Sequence, residues 1–568
     1  MQLSLKGLQD AAAWQAAGVT LPVYDVAASS AASRATPRWA HIGVGNIFRC
    51  FLGSIADDLL ASDNGAENAN CGIICLDTHG FDTIGKIYTP HDNLTLAVTL
   101  NIDGSTTKRV LGSLAEALNA DFRDRVQWER LLAVFAAPSL QLASFTITEK
   151  GYALTDSTGA YLPQVAADIE AGTARPTTAM AIVTTLLHWR FTHGATPLAL
   201  VSMDNCSQNG DKLRAAVTRF ATEWQQRGFV DDEFCRWLSE SGKISFPWTM
   251  IDKITPRPAQ TVADELTALG IEGMQPSVTN RGSHVAPFVN AEAPQYLVIE
   301  DDFPNGRPPL ESAHNAGVYL TDRATVNAVE RMKVTACLNP LHTALAVYGC
   351  LLGYERIAAE MQDADLTALV RRIADEGMAV VADPHIINPA AFAREVLEER
   401  LPNRFLPDTP QRIATDTSQK VGIRYGETIR SYVARDGTAT SLRAIPLAIA
   451  GWLRYLLAID DAGAPFTPSA DPLLATLQQQ LANVRLGTPA SAGGALQPIL
   501  ANERIFGCNL YDVGIGTRVE ALFAQLIAGT GAVRRTLHEA DEKRRRKILF
   551  KRCKQNSRHD TCLKTYST

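Results

Sequence analysis

Through the first half of the chain, short apolar runs alternate with stretches whose apolar residues recur at helical spacing. A run ending in His41-Ile42 meets Gly43-Val44-Gly45, and helical spacing follows from Phe48 to Leu60. That pattern predicts a strand, a tight turn and a helix. CGIICLD (71–77) predicts the next strand, and LLAVFAA (131–137), LASFTIT (142–148) and LALVSMD (198–204) three more, with a helical stretch around 178–190. Strands alternating with helices predict a parallel α/β architecture. Residues 1–35 are rich in Ala and Ser and read as a lead-in wrapped over the surface.

Beyond about residue 320 the texture changes. Segments 324–338, 341–354, 355–375, 442–458, 470–484 and 518–530 carry apolar residues at helical spacing, and strand-like alternation is scarce. The expected fold class is therefore α/β. An N-terminal Rossmann-type domain with its lead-in (1–318) is followed by a mostly α-helical C-terminal domain (319–540) and a basic tail (541–568) expected to be disordered.

A chain of 568 residues is too long for one core, and 46% hydrophobic with 20% charged residues fits ordinary globular domains. No apolar run reaches the ~20 residues a bilayer crossing needs, and the N-terminus lacks the apolar stretch of a signal peptide. The net charge of −6 is uneven: the tail holds ten Lys/Arg against three Asp/Glu, leaving 44 basic against 57 acidic residues in the body. An acidic body argues against a nucleic-acid partner, whose phosphates call for Lys and Arg. Ten cysteines without a C-x-x-C pair indicate neither a zinc ribbon nor a disulfide framework, so a reduced, cytoplasmic setting is expected.

The Gly43-Val44-Gly45 turn offers a backbone that a pyrophosphate can approach and the N–H groups of a helix start. Gly43, Gly45, Asn46, Phe48 and Arg49 are the candidate cofactor residues, although Phe48 stands where the usual fingerprint has a third glycine. Asp77 ends the next predicted strand. There an acid can accept from both ribose hydroxyls and repel a 2′-phosphate, which favours NAD and leaves NADP open. A cap for the turn at Thr78-His79-Gly80 is the competing reading.

The stretch ERMKVTACLNPLHTALAVYGCLLGY (330–354) carries the most chemistry, and with it the chain resembles the polyol-specific long-chain dehydrogenases. These include mannitol 2-dehydrogenase, fructuronate reductase and tagaturonate reductase. HIGVGNIFR (41–49), TITEKGY (146–152), VSMDNCSQNG (201–210) and FPWTMIDKITP (246–256) agree in order, VIEDDFPNGRPPLE (298–311) fits too, and the likeness spans roughly 38–538. The resemblance implies a zinc-independent, NAD-dependent oxidoreductase. It would move hydride between nicotinamide and C2 of a linear polyol or aldonate, such as D-mannonate/D-fructuronate or D-mannitol/D-fructose. It assigns Lys333 as the base, Asn339 and Asn205 as donors to the reacting oxygen, His342 as the orienting residue and Glu330 as the proton relay. Asp252 becomes a pocket acid, and Arg412 and Lys420, within RIATDTSQK (412–420), become basic substrate contacts. Two basic groups suit a sugar acid and could equally steer hydroxyls. The expected partner is a small sugar, polyol or sugar acid, with no membrane or nucleic acid, bound by a monomer or homodimer.

One spacing departs from the family. Asn339 follows Lys333 by six positions rather than five, and in an unbroken helix Lys333 and His342, nine positions apart, would point about 180° apart. Either a helix starts at Asn339 or a bulge absorbs the extra residue. Two rival functions remain open: a zinc alcohol dehydrogenase, for which only scattered Cys and His exist, and a non-catalytic dinucleotide sensor that kept the fold.

Overall fold

The computed structural model describes residues 1–62, 65–156, 158–313, 317–406 and 408–542; the basic tail from 543 onward lies outside them. The chain divides into two units between Asn327 and Ala328. The division comes later than 318 because strand Val318–Thr321 pairs in parallel with Tyr296–Glu300 of the first unit.

The first unit is built on a six-stranded parallel sheet of β1 (Trp39–Ile42), β2 (Ile73–Asp77), β3 (Leu114–Asn119), β4 (Leu142–Phe145), β5 (Leu198–Ser202) and β6 (Ile244–Ser245). Its order is β3-β2-β1-β4-β5-β6, with every pairing parallel. This is the doubly wound dinucleotide-binding order, in which ligands bind at the carboxyl ends where the order reverses, between β1 and β4. Successive side chains on the strands enter two separate cores. Ala40, Ile42, Ile74, Leu76 and Leu200 join one; Trp39, Ile73, Cys75, Ala199 and Val201 join the other. Burial on both faces explains why these strands read as continuous apolar runs.

Helix α1 (Gly53–Leu60) follows β1, and α2 (Arg125–Ala136), α3 (Ala179–Thr192) and α4 (Asn209–Gln226) belong to the later crossovers. The run 131–137, expected as a strand, forms the last part of α2. Leu131, Val134 and Phe135 sit at i, i+3 and i+4 and are buried, a spacing that a short apolar run conceals. The lead-in also does more than wrap the surface. Trp14 is fully buried, and Val19–Thr20 adds a parallel edge strand to Thr106–Leu111 in a second, four-stranded sheet.

The second unit is helical. Helix α5 (Arg323–Met332) runs across the division, and α6 (Asn339–Leu352) is a central helix packed by α7 (Ala364–Met378) and α8 (Ala444–Tyr455), with α9 (Gly516–Leu526) against α8. The stretch Arg323–Leu352 is long and apolar enough to cross a membrane, but 78% of its most apolar window is buried, as in a core helix.

Candidate active site

In the first unit the chain leaves β1 through a turn that glycine alone fits. Gly43 has φ +124°, and a Cβ there would lie 2.6 Å from the Thr146 carbonyl oxygen. The Gly43 N–H donates to Leu76 O (2.9 Å), and the Tyr88 hydroxyl donates to Val44 O (3.0 Å), which ties the turn to its neighbours. Gly45 is exposed, with open space where its Cβ would project. Helix begins at Asn46 and widens at once into a π turn, Phe48–Leu52. An open glycine beside a helix start suits a pyrophosphate, so the residues present fit a dinucleotide.

The side chains of Phe48 and Arg49 turn away from that opening. Phe48 stacks on His41 (centroids 4.0 Å apart), and both are fully buried. The Arg49 guanidinium donates to Ala286 O (2.7 Å), Pro287 O (2.8 Å) and Thr95 Oγ1 (3.3 Å). Its partners are two backbone carbonyls and a threonine hydroxyl, and the Arg49 N–H itself donates to Gly45 O (3.1 Å), so Arg49 braces the turn and anything Phe48 offers a cofactor comes from its backbone. Asp77 departs from expectation in a similar way. Its carboxylate accepts from the N–H groups of His79 (2.9 Å), Gly80 (3.3 Å) and Phe81 (3.1 Å). The turn-capping reading therefore describes its side chain, and three of the roughly four acceptor positions of a carboxylate are engaged.

The carboxyl ends of β4 and β5 are joined by Asp204, which accepts from Ile147 N (2.9 Å), Thr148 N (2.8 Å) and the Tyr152 hydroxyl (2.6 Å). Burial, working against these donors, keeps the Asp204 carboxyl above its ordinary range. Asn209 is fully buried, and its amide donates to Ser202 O, Asp204 O and Thr249 O while accepting from Thr249 N. Between these two anchors Asn205 stands exposed at the end of β5. Asp252 is buried at the end of strand Thr249–Asp252.

In the second unit the spacing anomaly resolves locally. Lys333–Cys337 is a π turn, closed by Leu338 N donating to Lys333 O (3.1 Å), after which α6 begins at Asn339. The widened turn absorbs about one residue and Leu338 (φ −127°, ψ −62°) then leaves helical geometry, so the 180° separation of Lys333 and His342 expected of an unbroken helix does not apply. Its neighbours hold it. Thr428 Oγ1 donates to Thr335 O (2.9 Å), and a Cβ on Gly377 would lie 3.0 Å from the Ala336 Cα. Lys333 is buried, and Glu330 is half-buried one turn earlier.

His342 Nε2 lies 2.9 Å from Asp408 Oδ2, a close contact in which the oxygen stands off the axis of a ring N–H. The other Asp408 oxygen takes the Nε of Arg412 at 3.0 Å and its Nη2 as well. Burial alone would raise Asp408, but His342 and Arg412 outweigh it and hold the carboxyl below its usual range. Lys420 donates to Thr415 O, and its amine is lowered by burial and then by Arg424. Among the described residues no group of three or more His, Cys, Asp and Glu is arranged to hold a metal ion.

Two family models match the chain: a mannitol dehydrogenase Rossmann domain over 37–312 and a mannitol dehydrogenase C-terminal domain over 325–522. A D-mannonate oxidoreductase of Thermotoga maritima is 49% identical over 540 residues, covering 95% of this chain and 99% of the relative. The chain belongs to the mannitol dehydrogenase family. A mannitol 2-dehydrogenase of Phaeosphaeria nodorum is 30% identical, over 83% of this chain and 76% of that protein. The solved Pseudomonas fluorescens mannitol 2-dehydrogenase, a ternary complex with NAD and D-mannitol, superposes with a TM-score of 0.70 at 27% identity, over 96% of this chain and all of that one.

In this mannitol dehydrogenase family member the sequence motifs led to the G-x-G turn, the Lys333–His342 stretch and the basic pair, and missed two residues. Asp408 joins His342 to Arg412. Its signal was local: it lies four residues before Arg412 and just before the Thr409 cap and Pro410 at the start of a short helix. Arg424, four residues beyond Lys420, donates to Thr343 beside His342.

Proposed function

We propose that this chain is an NAD-dependent dehydrogenase that interconverts D-mannonate and D-fructuronate, acting on a secondary alcohol of the linear sugar acid. The observation that carries the reading is near-full-length similarity, at 49% identity, to a D-mannonate oxidoreductase. The basic residues Arg412, Lys420 and Arg424, close in sequence beyond Asp408, suit an acidic substrate. The chemistry supplied by a bound dinucleotide is hydride exchange at nicotinamide C4.

In the oxidation direction the Lys333 amine takes the hydroxyl proton and Glu330 passes it toward solvent. Asn339 and Asn205 donate to the oxygen as it gains negative charge, an electrostatic contribution that grows toward the transition state. His342, steadied by Asp408, orients a neighbouring hydroxyl, and Asp252 contacts another. Gly43, Gly45 and the backbone of Asn46 and Phe48 cradle the pyrophosphate, with Arg49, its own N–H on Gly45 O, bracing the turn. The enzyme works as a cytoplasmic monomer or homodimer.

The test is NADH oxidation with fructuronate, tagaturonate and fructose side by side, with and without EDTA. Chelator-resistant turnover of fructuronate supports the reading. Turnover of fructose alone moves the enzyme to the mannitol reading favoured by the solved relative. NADH binding with no turnover of any ketose leaves the non-catalytic sensor.

A further inference from the structure

The basic residues beside α6 differ in how far their charge is already committed. Arg412 places Nε and Nη2 on Asp408 and is 63% exposed, so most of its fork serves the His342–Asp408 pair. Lys420 gives its amine to the Thr415 carbonyl, with Asp416 and Asp471 acting on it. Arg424 is different. Its Nη1 donates to Thr343 Oγ1, and among the described residues no carboxylate acts on its guanidinium. Thr343 in turn donates to Asn339 O (2.9 Å), so the guanidinium sits on the first turn of α6, one residue from His342 and on the face of Asn339.

The backbone beneath Arg424 is fixed. It lies in a π turn, Gly422–Gly426, bracketed by two glycines. A Cβ on Gly422 would lie 2.6 Å from Ile505 O, and one on Gly426 would strike Phe506 O. The next side chain, Tyr425, donates to Pro340 O (3.0 Å), which locks the turn to the start of α6. Burial depresses the guanidinium only to about 10, so it remains charged at neutral pH. A half-buried, preorganised cation on which, among the described residues, no carboxylate acts is suited to a carboxylate brought by a ligand.

We infer that Arg424 binds the terminal carboxylate of the substrate and is the residue that selects sugar acids over neutral polyols. The inference rests on the sugar-acid reading of the site. In fructuronate the carboxylate is four bonds from the reacting carbonyl. Arg424 therefore sets the position of the substrate chain, while Asn339 and His342 address the reacting end.

The experiment compares steady-state NADH oxidation on D-fructuronate and D-fructose by the wild type, Arg424→Gln and Arg424→Lys. For Arg424→Gln the KM ratio of fructuronate to fructose is expected to rise on the order of 10- to 100-fold, with kcat on fructuronate changing far less than KM. Arg424→Lys, which keeps the charge and loses the fork, should fall between. Equal proportional losses on both ketoses, or an unchanged fructuronate KM, would overturn the inference while leaving the sugar-acid reading intact. A wild type that reduces fructose and no ketouronate would defeat that reading and the inference together, and the difference is visible before any variant is made. If Arg424→Gln loses its circular dichroism and NADH binding, Arg424→Lys decides: a shifted selectivity supports the assignment and an unchanged one refutes it.

Discussion

The two glycines of the first turn should respond in opposite ways to the same added methyl group. At Gly43 the backbone sits at φ +124°, and the new Cβ would lie 2.6 Å from Thr146 O, well inside the 3.0 Å that real Cβ contacts respect. Holding a non-glycine residue in that backbone region costs about 1–3 kcal/mol. Relieving the clash means displacing the segment after β4, so Gly43→Ala should cost about 2–4 kcal/mol of a total stability of roughly 5–15 kcal/mol. Gly45 has no atom within 4 Å of the same methyl. Gly45→Ala should therefore leave stability within about 0.5 kcal/mol. Its effect falls on the ligand, because the methyl stands where the pyrophosphate must approach the backbone. Urea denaturation followed by circular dichroism measures the first effect, and titration of NADH fluorescence the second. Gly45→Ala binding NADH with wild-type affinity would remove the turn from the cofactor site. Gly43→Ala unfolding at the wild-type midpoint would refute the conformational argument.

Four further outcomes can be measured on the same protein. Lys333→Ala should abolish turnover while NADH affinity changes little; wild-type activity in that variant would remove Lys333 from the mechanism. Asp77→Ala frees the N–H groups of residues 79–81 and should cost about 1–3 kcal/mol of stability. It should also weaken NADH more than NADPH, and equal losses in the two titrations would confine Asp77 to the turn. Asp408→Asn should lower kcat/KM on the order of 100-fold by releasing His342. Because the Asp408 carboxyl is held below its ordinary range, its stabilising contribution is present above about pH 4 and lost as pH falls further; the variant should flatten that acid limb in denaturation midpoints. Glu360 is fully buried, with neither oxygen partnered among the described residues, and burial pushes its carboxyl up to about 10. Its folded form keeps a proton that the unfolded chain loses above about pH 4.5, so stability should fall as pH rises toward 10. Glu360→Gln should raise the denaturation midpoint more at pH 8 than at pH 5, and equal shifts at both would refute the assignment.

What could be read ahead of the structure was whatever is encoded locally. The G-x-G turn was legible because both backbone conformation and close approach demand glycine at fixed positions. The extra residue before Asn339 was legible as an anomaly of count, and a bulge was one of its two foreseen solutions. Facing was not legible. Nothing in GNIFR tells that Arg49 reaches carbonyls more than two hundred residues downstream, and an acid at a strand end can equally cap the turn that follows it, as Asp77 does. The run 131–137 was misread because seven residues are too few to separate two periods. Asp408 and Arg424 were missed because their importance lies in partners 66 and 81 positions away, His342 and Thr343.

The widened turn after Lys333 also bears on how relatives should be compared. In a regular helix one inserted residue rotates everything downstream by about 100° and would scramble the whole face of α6. Here five residues confine the disturbance, with Gly377 and Thr428 holding the loosened segment in one shape. The lysine and the Asn339–His342 pair thus behave as two cassettes joined by an adjustable coupling. An alignment that insists on a constant offset would put Val334 at the position of the proposed base, while a superposition anchored separately on each side of the π turn would put Lys333 there.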